Sequence, residues 1–164
     1  DGETVMIESG SCCALVALEI AHTKKDVTLI TNSAFIADYI RKIGSVKLIL
    51  LGGEYQNEAQ VMVGPITRKC AEVFFVDKLL IGIDGFTKEN GFTGNDYMRC
   101  ETVRDLAKQA KHIFVVTDST KFQQTGIVSL IDTPQVDYVY TDANIPSDIE
   151  AYLTLHNVTV VKSE

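Results

Sequence analysis

The sequence predicts an α/β protein with a Rossmann-like, mostly parallel sheet and helices on both faces. Two observations predict it. Short apolar runs alternate with segments of helical periodicity along most of the 164 residues, the pattern that repeated βα units produce. Several of the runs are apolar at nearly every position, as strands covered on both faces of a parallel sheet are.

The elements follow in order. Residues 4–8 form the first strand, and residues 12–22 a helix with Leu15, Leu18 and Ala21 on one side at helical spacing. Residues 27–30 are a second strand and 33–43 a second helix. Residues 46–51 are a third strand, almost wholly apolar and therefore expected to be buried on both faces. Gly52-Gly53 breaks it. Residues 78–83 are a fourth strand ending at Asp84-Gly85. Residues 100–110 are a helix with Val103, Leu106, Ala107 and Ala110 inward, and 112–117 a fifth strand. Beyond it, residues 126–130 and 136–141 read as short strands. Ser147 opens a helix to about Leu155, with Glu150 placed for a capping box, and 158–161 is the last strand. There is no repeat, low-complexity tract or interdomain linker, so residues 1–164 read as one domain.

Composition narrows the function. The hydrophobic fraction of 46% and charged fraction of 23% are those of a soluble globular protein. No apolar run approaches the ~20 residues of a membrane span, and the expected location is cytoplasmic. The net charge of −7 disfavours direct contact with a phosphate backbone. Cys12, Cys13, Cys70 and Cys100 show no CxxC pair and no zinc spacing, so they read as reduced thiols, with no metal or cofactor expected. The chain begins at Asp1 rather than Met and reads as part of a longer protein.

The strand ends carry the functional signal. Glu8-Ser9-Gly10-Ser11, Thr31-Asn32-Ser33, Gly52-Gly53, Asp84-Gly85 and Asp118-Ser119-Thr120-Lys121 each stand where a loop leaves a strand. In open α/β sheets ligands bind at the carboxyl ends of strands. A small Ser/Gly loop entering a helix offers backbone N–H groups to an anion, and Lys121 on a second loop adds positive charge. The first loop lacks the spacing of dinucleotide and nucleoside-triphosphate binders, so a phosphorylated small molecule fits better. Asp84 and Glu101 are candidate acceptors for sugar hydroxyls, with Glu101 equally readable as a solvated residue of a helix first turn. Thr31-Asn32-Ser33 also reads as a helix cap, and Gly53 either admits a ligand or ends a strand. Arg99 could approach the ligand, but reads more readily as a surface residue.

These motifs, in this order, resemble the C-terminal effector-sensing domain of DeoR-family transcriptional regulators: residues 4–11, Thr31-Asn32-Ser33, Leu51-Gly52-Gly53, Gly64, Gly82-Ile83-Asp84-Gly85 and Asp118-Ser119-Thr120-Lys121-Phe122. The resemblance covers essentially the whole chain. It implies a fold like ribose-5-phosphate isomerase and the CoA-transferase group. It also implies a phosphorylated sugar or related effector, operator DNA bound through an N-terminal winged helix-turn-helix domain outside this sequence, a repressor's role, and a homo-oligomer. Ser9, Gly10, Ser11, Cys12 and Lys121 would then hold the phosphate, and Thr31, Asn32, Gly53, Asp84 and Glu101 would line the sugar. Residues 61–75 and the region of Tyr138 and Tyr140 are candidate subunit contacts. Two departures stand out. Cys12-Cys13 replaces the Thr-Thr frequent in the family, and the lysine- and glycine-rich segment of the isomerase is absent. The second favours sensing over the alternative, a sugar-phosphate isomerase.

Overall fold

The computed structural model describes residues 1–163. In chain order, β1 (Thr4–Ile7) leads into α1 (Ser11–Thr23), β2 (Val27–Thr31) into α2 (Ala34–Ile40), and β3 (Val46–Leu50) follows. A hairpin of β4 (Glu54–Gln56) and β5 (Val61–Val63) precedes α3 (Pro65–Ala71). Then come β6 (Val76–Ile81), the short strands β7 (Gly85–Thr87) and β8 (Gly91–Gly94), α4 (Tyr97–Ala107) and β9 (Ala110–Val116). A 3-10 turn at Ser119–Gln123, β10 (Val128–Ile131), β11 (Tyr138–Asp142), α5 (Ser147–Leu155) and β12 (Thr159–Ser163) complete the chain.

Seven strands form one sheet in the order β12-β11-β9-β6-β1-β2-β3, and every neighbouring pair in it is parallel. The predicted sheet is thus present, and it is parallel throughout. Chain order runs outward from the centre in both directions, which makes the junction of β1 and β6 the topological switch point of a doubly wound sheet.

Alternate side chains of each strand go to opposite faces. Val5, Ile7, Leu29, Leu80 and Phe114 pack with α1 and α2 on one face. Met6, Ile30, Leu79, Ile81, Ile113 and Val115 pack on the other with α4, α5 and the three-stranded sheet β10-β8-β7. Phe86 is the hub of an aromatic group on that side. Its ring centroid lies 4.8 Å from Phe92, 5.8 Å from Phe122 and 6.2 Å from Tyr152.

Four local expectations are corrected. The buried stripe of α1 is Cys13, Ala14, Ala17 and Ala21, while Leu15 is 62% exposed. Small side chains let this helix lie close on the sheet, so its larger residues turn outward. β3 is an edge strand paired only with β2, so Leu50 is 47% exposed despite the apolar run. α4 begins at Tyr97 rather than residue 100, because Asp96 caps it by accepting from the Arg99 N–H at 2.7 Å. It ends at Ala107, and Ala110 belongs to β9. At α5, Pro146 takes the cap position and its carbonyl accepts from the N–H groups of Ile149 and Glu150, both at 3.0 Å. Ser147 is therefore the first helical residue and no capping box forms. The proposed contact region 61–75 divides. Val61 and Val63 are core residues, whereas Val73 and Phe75 are exposed.

Candidate functional site

β1, β6 and β9 lie side by side, and the loops leaving their carboxyl ends enclose a cleft of about 120 Å³. The cleft sits at the switch point, where successive connections diverge to opposite faces and leave room between them. Gly10, Ser11 and Cys12 form one wall, Gly82, Ile83 and Asp84 another, and Val116, Thr117 and Lys121 a third, with Arg99 reaching in from α4.

The first wall is the start of α1. Gly10 precedes the helix at φ +118°, a backbone region closed to most side chains. No side chain caps α1, so the donors of its first turn are left for water or a ligand. The positive end of the helix dipole adds to their attraction for an anion.

Lys121 stands on the 3-10 turn after β9. Asp118 caps this turn, accepting from the Thr120 N–H at 3.0 Å and from the Thr120 hydroxyl. Among the described residues, Lys121 has no carboxylate within ion-pair distance. Asp142, at the end of β11, pins the same turn by accepting from the Ser119 N–H at 2.7 Å, and it also accepts from Asn144 at 2.9 Å. These bonds to the charged form hold its carboxyl at about 2, below the ordinary 3.8. The stability it contributes is present above the ordinary value and lost as pH falls through about 2. Asp142→Asn is therefore expected to flatten the loss of melting temperature between about pH 4 and pH 2 and to lower it at pH 7. Circular-dichroism melts across that range check this, and an unchanged acid slope would contradict it.

Arg99 does not lie on the surface as the sequence suggested. Its Nε donates to Glu8 Oε1 at 2.9 Å and its Nη2 to Glu8 Oε2 at 3.2 Å. The Glu8 side chain is fully buried and that of Arg99 is 21% exposed. Ser9 Oγ also donates to Glu8 Oε1, at 2.7 Å. The Glu8 charge pushes the guanidinium pKa above its ordinary value, against the opposing effect of burial. This pair escaped sequence reasoning because Glu8 and Arg99 are 91 positions apart. The one available hint was a glutamate closing an otherwise apolar strand.

Of the residues expected to hold phosphate, Gly10, Ser11, Cys12 and Lys121 line the cleft. Ser9 lies buried beside it on Glu8. The residues expected to line a sugar are divided. Asp84 is in the cleft, accepting from the Asn95 N–H at 2.9 Å. Glu101 is exposed on α4 and does not join it. It follows Arg99 by two positions, about 200° around the helix, so the two cannot share a face.

Thr31 and Asn32 lie buried at the end of β2, and Gly53 lies half-buried beyond the end of β3; none of the three lines the cleft. Thr31 Oγ1 donates to the Ile7 carbonyl at 2.6 Å, and Asn32 Nδ2 donates to the Met62 carbonyl at 2.9 Å. Asn32 Oδ1 is buried with no hydrogen-bond partner among the described residues. Gly53 has φ +150°, and a Cβ there would stand 1.9 Å from Thr67 Oγ1. Close packing of α3 on the β3 end accounts for that glycine. Cys100, pushed up to about 11 by burial, stays protonated at neutral pH, and burial likewise raises Cys13.

A larger hollow, about 460 Å³, lies elsewhere, over the sheet between α1 and Tyr140. Its walls are mostly aliphatic and aromatic, with two lysines, Lys24 and Lys78, of which Lys78 is paired with Glu3 at 2.6 Å.

Comparison with known proteins bears on the family and the fold. The model of the DeoR C terminal sensor domain family matches residues 1–143. The glycerol-3-phosphate regulon repressor of Escherichia coli K12 is 27% identical, over 96% of this chain and 62% of its own length. The transcriptional repressor GlcR of Bacillus subtilis is 27% identical over 87% of this chain and 54% of its own. The L-fucose operon activator of Haemophilus influenzae is 21% identical over 82% and 54%. The chain thus spans little more than half the length of these relatives. Among solved structures, ribose 5-phosphate isomerase from Plasmodium falciparum matches 76% of this chain and 46% of its own with a TM-score of 0.52 at 17% identity. The Methanocaldococcus jannaschii isomerase gives 0.51 at 17% identity, over 74% of this chain and 47% of its own. That likeness is one of fold.

Proposed function

The chain belongs to the DeoR C-terminal sensor domain family, and from that premise we propose that its cleft takes a phosphorylated sugar as the effector of a sugar-metabolism repressor. The supporting observation is the meeting, in one cleft, of an uncapped helix start and a lysine with no carboxylate partner among the described residues. The phosphate would sit on the first-turn N–H groups of α1 beside Lys121, with Ser9, Gly10, Ser11 and Cys12 shaping the loop. Asp84 would accept from a sugar hydroxyl. Thr31, Asn32 and Gly53 would shape the sugar side, with Asn32 Oδ1, unpartnered among the described residues, as an available acceptor. Glu101 would need α4 to turn before it could take part.

Operator DNA would be bound by an N-terminal winged helix-turn-helix domain, and effector would act by preferring one arrangement of a homo-oligomer over another. The exposed residues Val73 and Phe75, and Tyr140, are the proposed contact points between subunits. Among the relatives two are named repressors and one an activator, and repression relieved by effector is the reading adopted. An isomerase would need Asp84 and Glu101 to face one substrate, and the exposed position of Glu101 argues against that.

A thermal-shift panel of phosphorylated sugars, with the unphosphorylated sugars as controls, tests this on the wild type and Lys121→Ala. A ligand at 100 times its Kd stabilises by about 2.7 kcal/mol, roughly 5–11 °C in a domain of this size. The expected result is a shift that requires the phosphate and shrinks in the variant. No shift with any phosphorylated sugar would overturn the proposal.

A further inference from the structure

Resting on the anion-cleft reading above, we infer that Arg99 is itself a ligand-contacting residue, and that Glu8 is the positioning residue that aims it. The guanidinium carries five N–H donors in a planar fork. Glu8 takes one on Nε and one on Nη2. The other three have no partner among the described residues. The side chain borders the same cleft as Ser11, Cys12 and Lys121. It also lies against the backbone of the β6 end, since a Cβ built on Gly82 would stand 4.0 Å from Arg99 Nη2. Arg99 and the start of α1 thus line one cleft, where an anion resting on α1 would be within the reach of the unpartnered N–H groups.

Fold stability alone does not call for this arrangement. A buried ion pair is often no better for stability than apolar residues of the same volume, because desolvating both charges costs about what their attraction returns. Here the pair is also built to hold one geometry. Glu8 receives two parallel bonds from Arg99 and a third from Ser9. A guanidinium locked in this way has already lost its rotamer freedom, and a planar fork matches a pair of phosphate oxygens. The same bonds tie the loop before α1 to α4, so an anion bound at one is felt by the other.

Glu8→Gln separates aim from charge. Removing a nearby negative charge would by Coulomb attraction alone tighten the hold on an anion. If Glu8 aims Arg99, the substitution weakens it instead. The experiment is isothermal titration of inorganic phosphate into the wild type, Lys121→Ala, Arg99→Lys and Glu8→Gln, each with a ligand-free melt. Arg99→Lys keeps the charge and loses the fork, and is expected to bind phosphate about tenfold more weakly. Glu8→Gln is expected to bind it more weakly than the wild type. Should Arg99→Lys not fold, the double variant Glu8→Gln with Arg99→Gln, which keeps two hydrogen-bonding amides, takes its place with the same expected loss. Unchanged affinity in the Arg99 variant while Lys121→Ala weakens binding would overturn this inference and leave the anion cleft standing. Tighter binding by Glu8→Gln would overturn the positioning role. No phosphate binding by the wild type would overturn both readings.

Discussion

Phe92→Ala will destabilise the protein by about 3–5 kcal/mol, a fall in melting temperature of roughly 6–20 °C for a domain of this size. Phe92 is fully buried, and it stands on β8 at the centre of the sheet β10-β8-β7. Its ring meets Phe86, which in turn meets Phe122 and Tyr152. Truncation thus removes the apolar area of the ring and leaves a cavity among rigid aromatic neighbours that cannot collapse into it. Phe122 adjoins Lys121 on the same turn, so the damage should also reach the cleft. Phe92→Leu, which refills part of the volume, should recover part of the loss. Chemical denaturation with a comparison of midpoints and slopes measures both. A midpoint unchanged in the alanine variant would show that this layer does not hold the fold together.

The second large effect is expected at the buried ion pair. Arg99→Met leaves the Glu8 carboxylate in a site with no access to water and without its cation, which costs about 3–5 kcal/mol. Adding Glu8→Leu should return most of that stability, because the uncompensated charge is then gone and the volume remains filled. The double-mutant cycle isolates the coupling between the two residues. A double variant as unstable as Arg99→Met alone would mean that packing of the arginine stem, rather than charge compensation, sets the cost. The stability cycle is read without ligand, so it stands apart from the phosphate titration.

The contrast between those residues shows where sequence reading works. The βα alternation, the parallel sheet and the motifs at the strand ends were legible because each depends on neighbours in the chain. An apolar run of strand length, a Gly or Ser loop behind it and a helical stripe after it form one local unit. Once the strands are parallel, all their carboxyl ends must share an edge, and so Gly10–Cys12, Asp84 and Lys121 meet. The hairpin of β4 and β5 and the strands β7 and β8 were not legible. At three or four residues each, they are too short to display a period. The edge position of β3 was also hidden, because an apolar run looks the same at the margin of a sheet as at its centre.

The sequence by itself determined the fold class, the edge of the sheet that carries the cleft, and the Gly10–Cys12 and Lys121 segments that meet there. Tertiary structure alone decided which face of α4 looks into the cleft, and so admitted Arg99 and left Glu101 outside. It alone placed Glu8 against Arg99, sent Leu15 outward, and gave Gly53 its packing role beneath Thr67. Each of these depends on helix phase and on contacts between residues far apart in the chain. Those are set when whole elements dock, and no local pattern of residues encodes them.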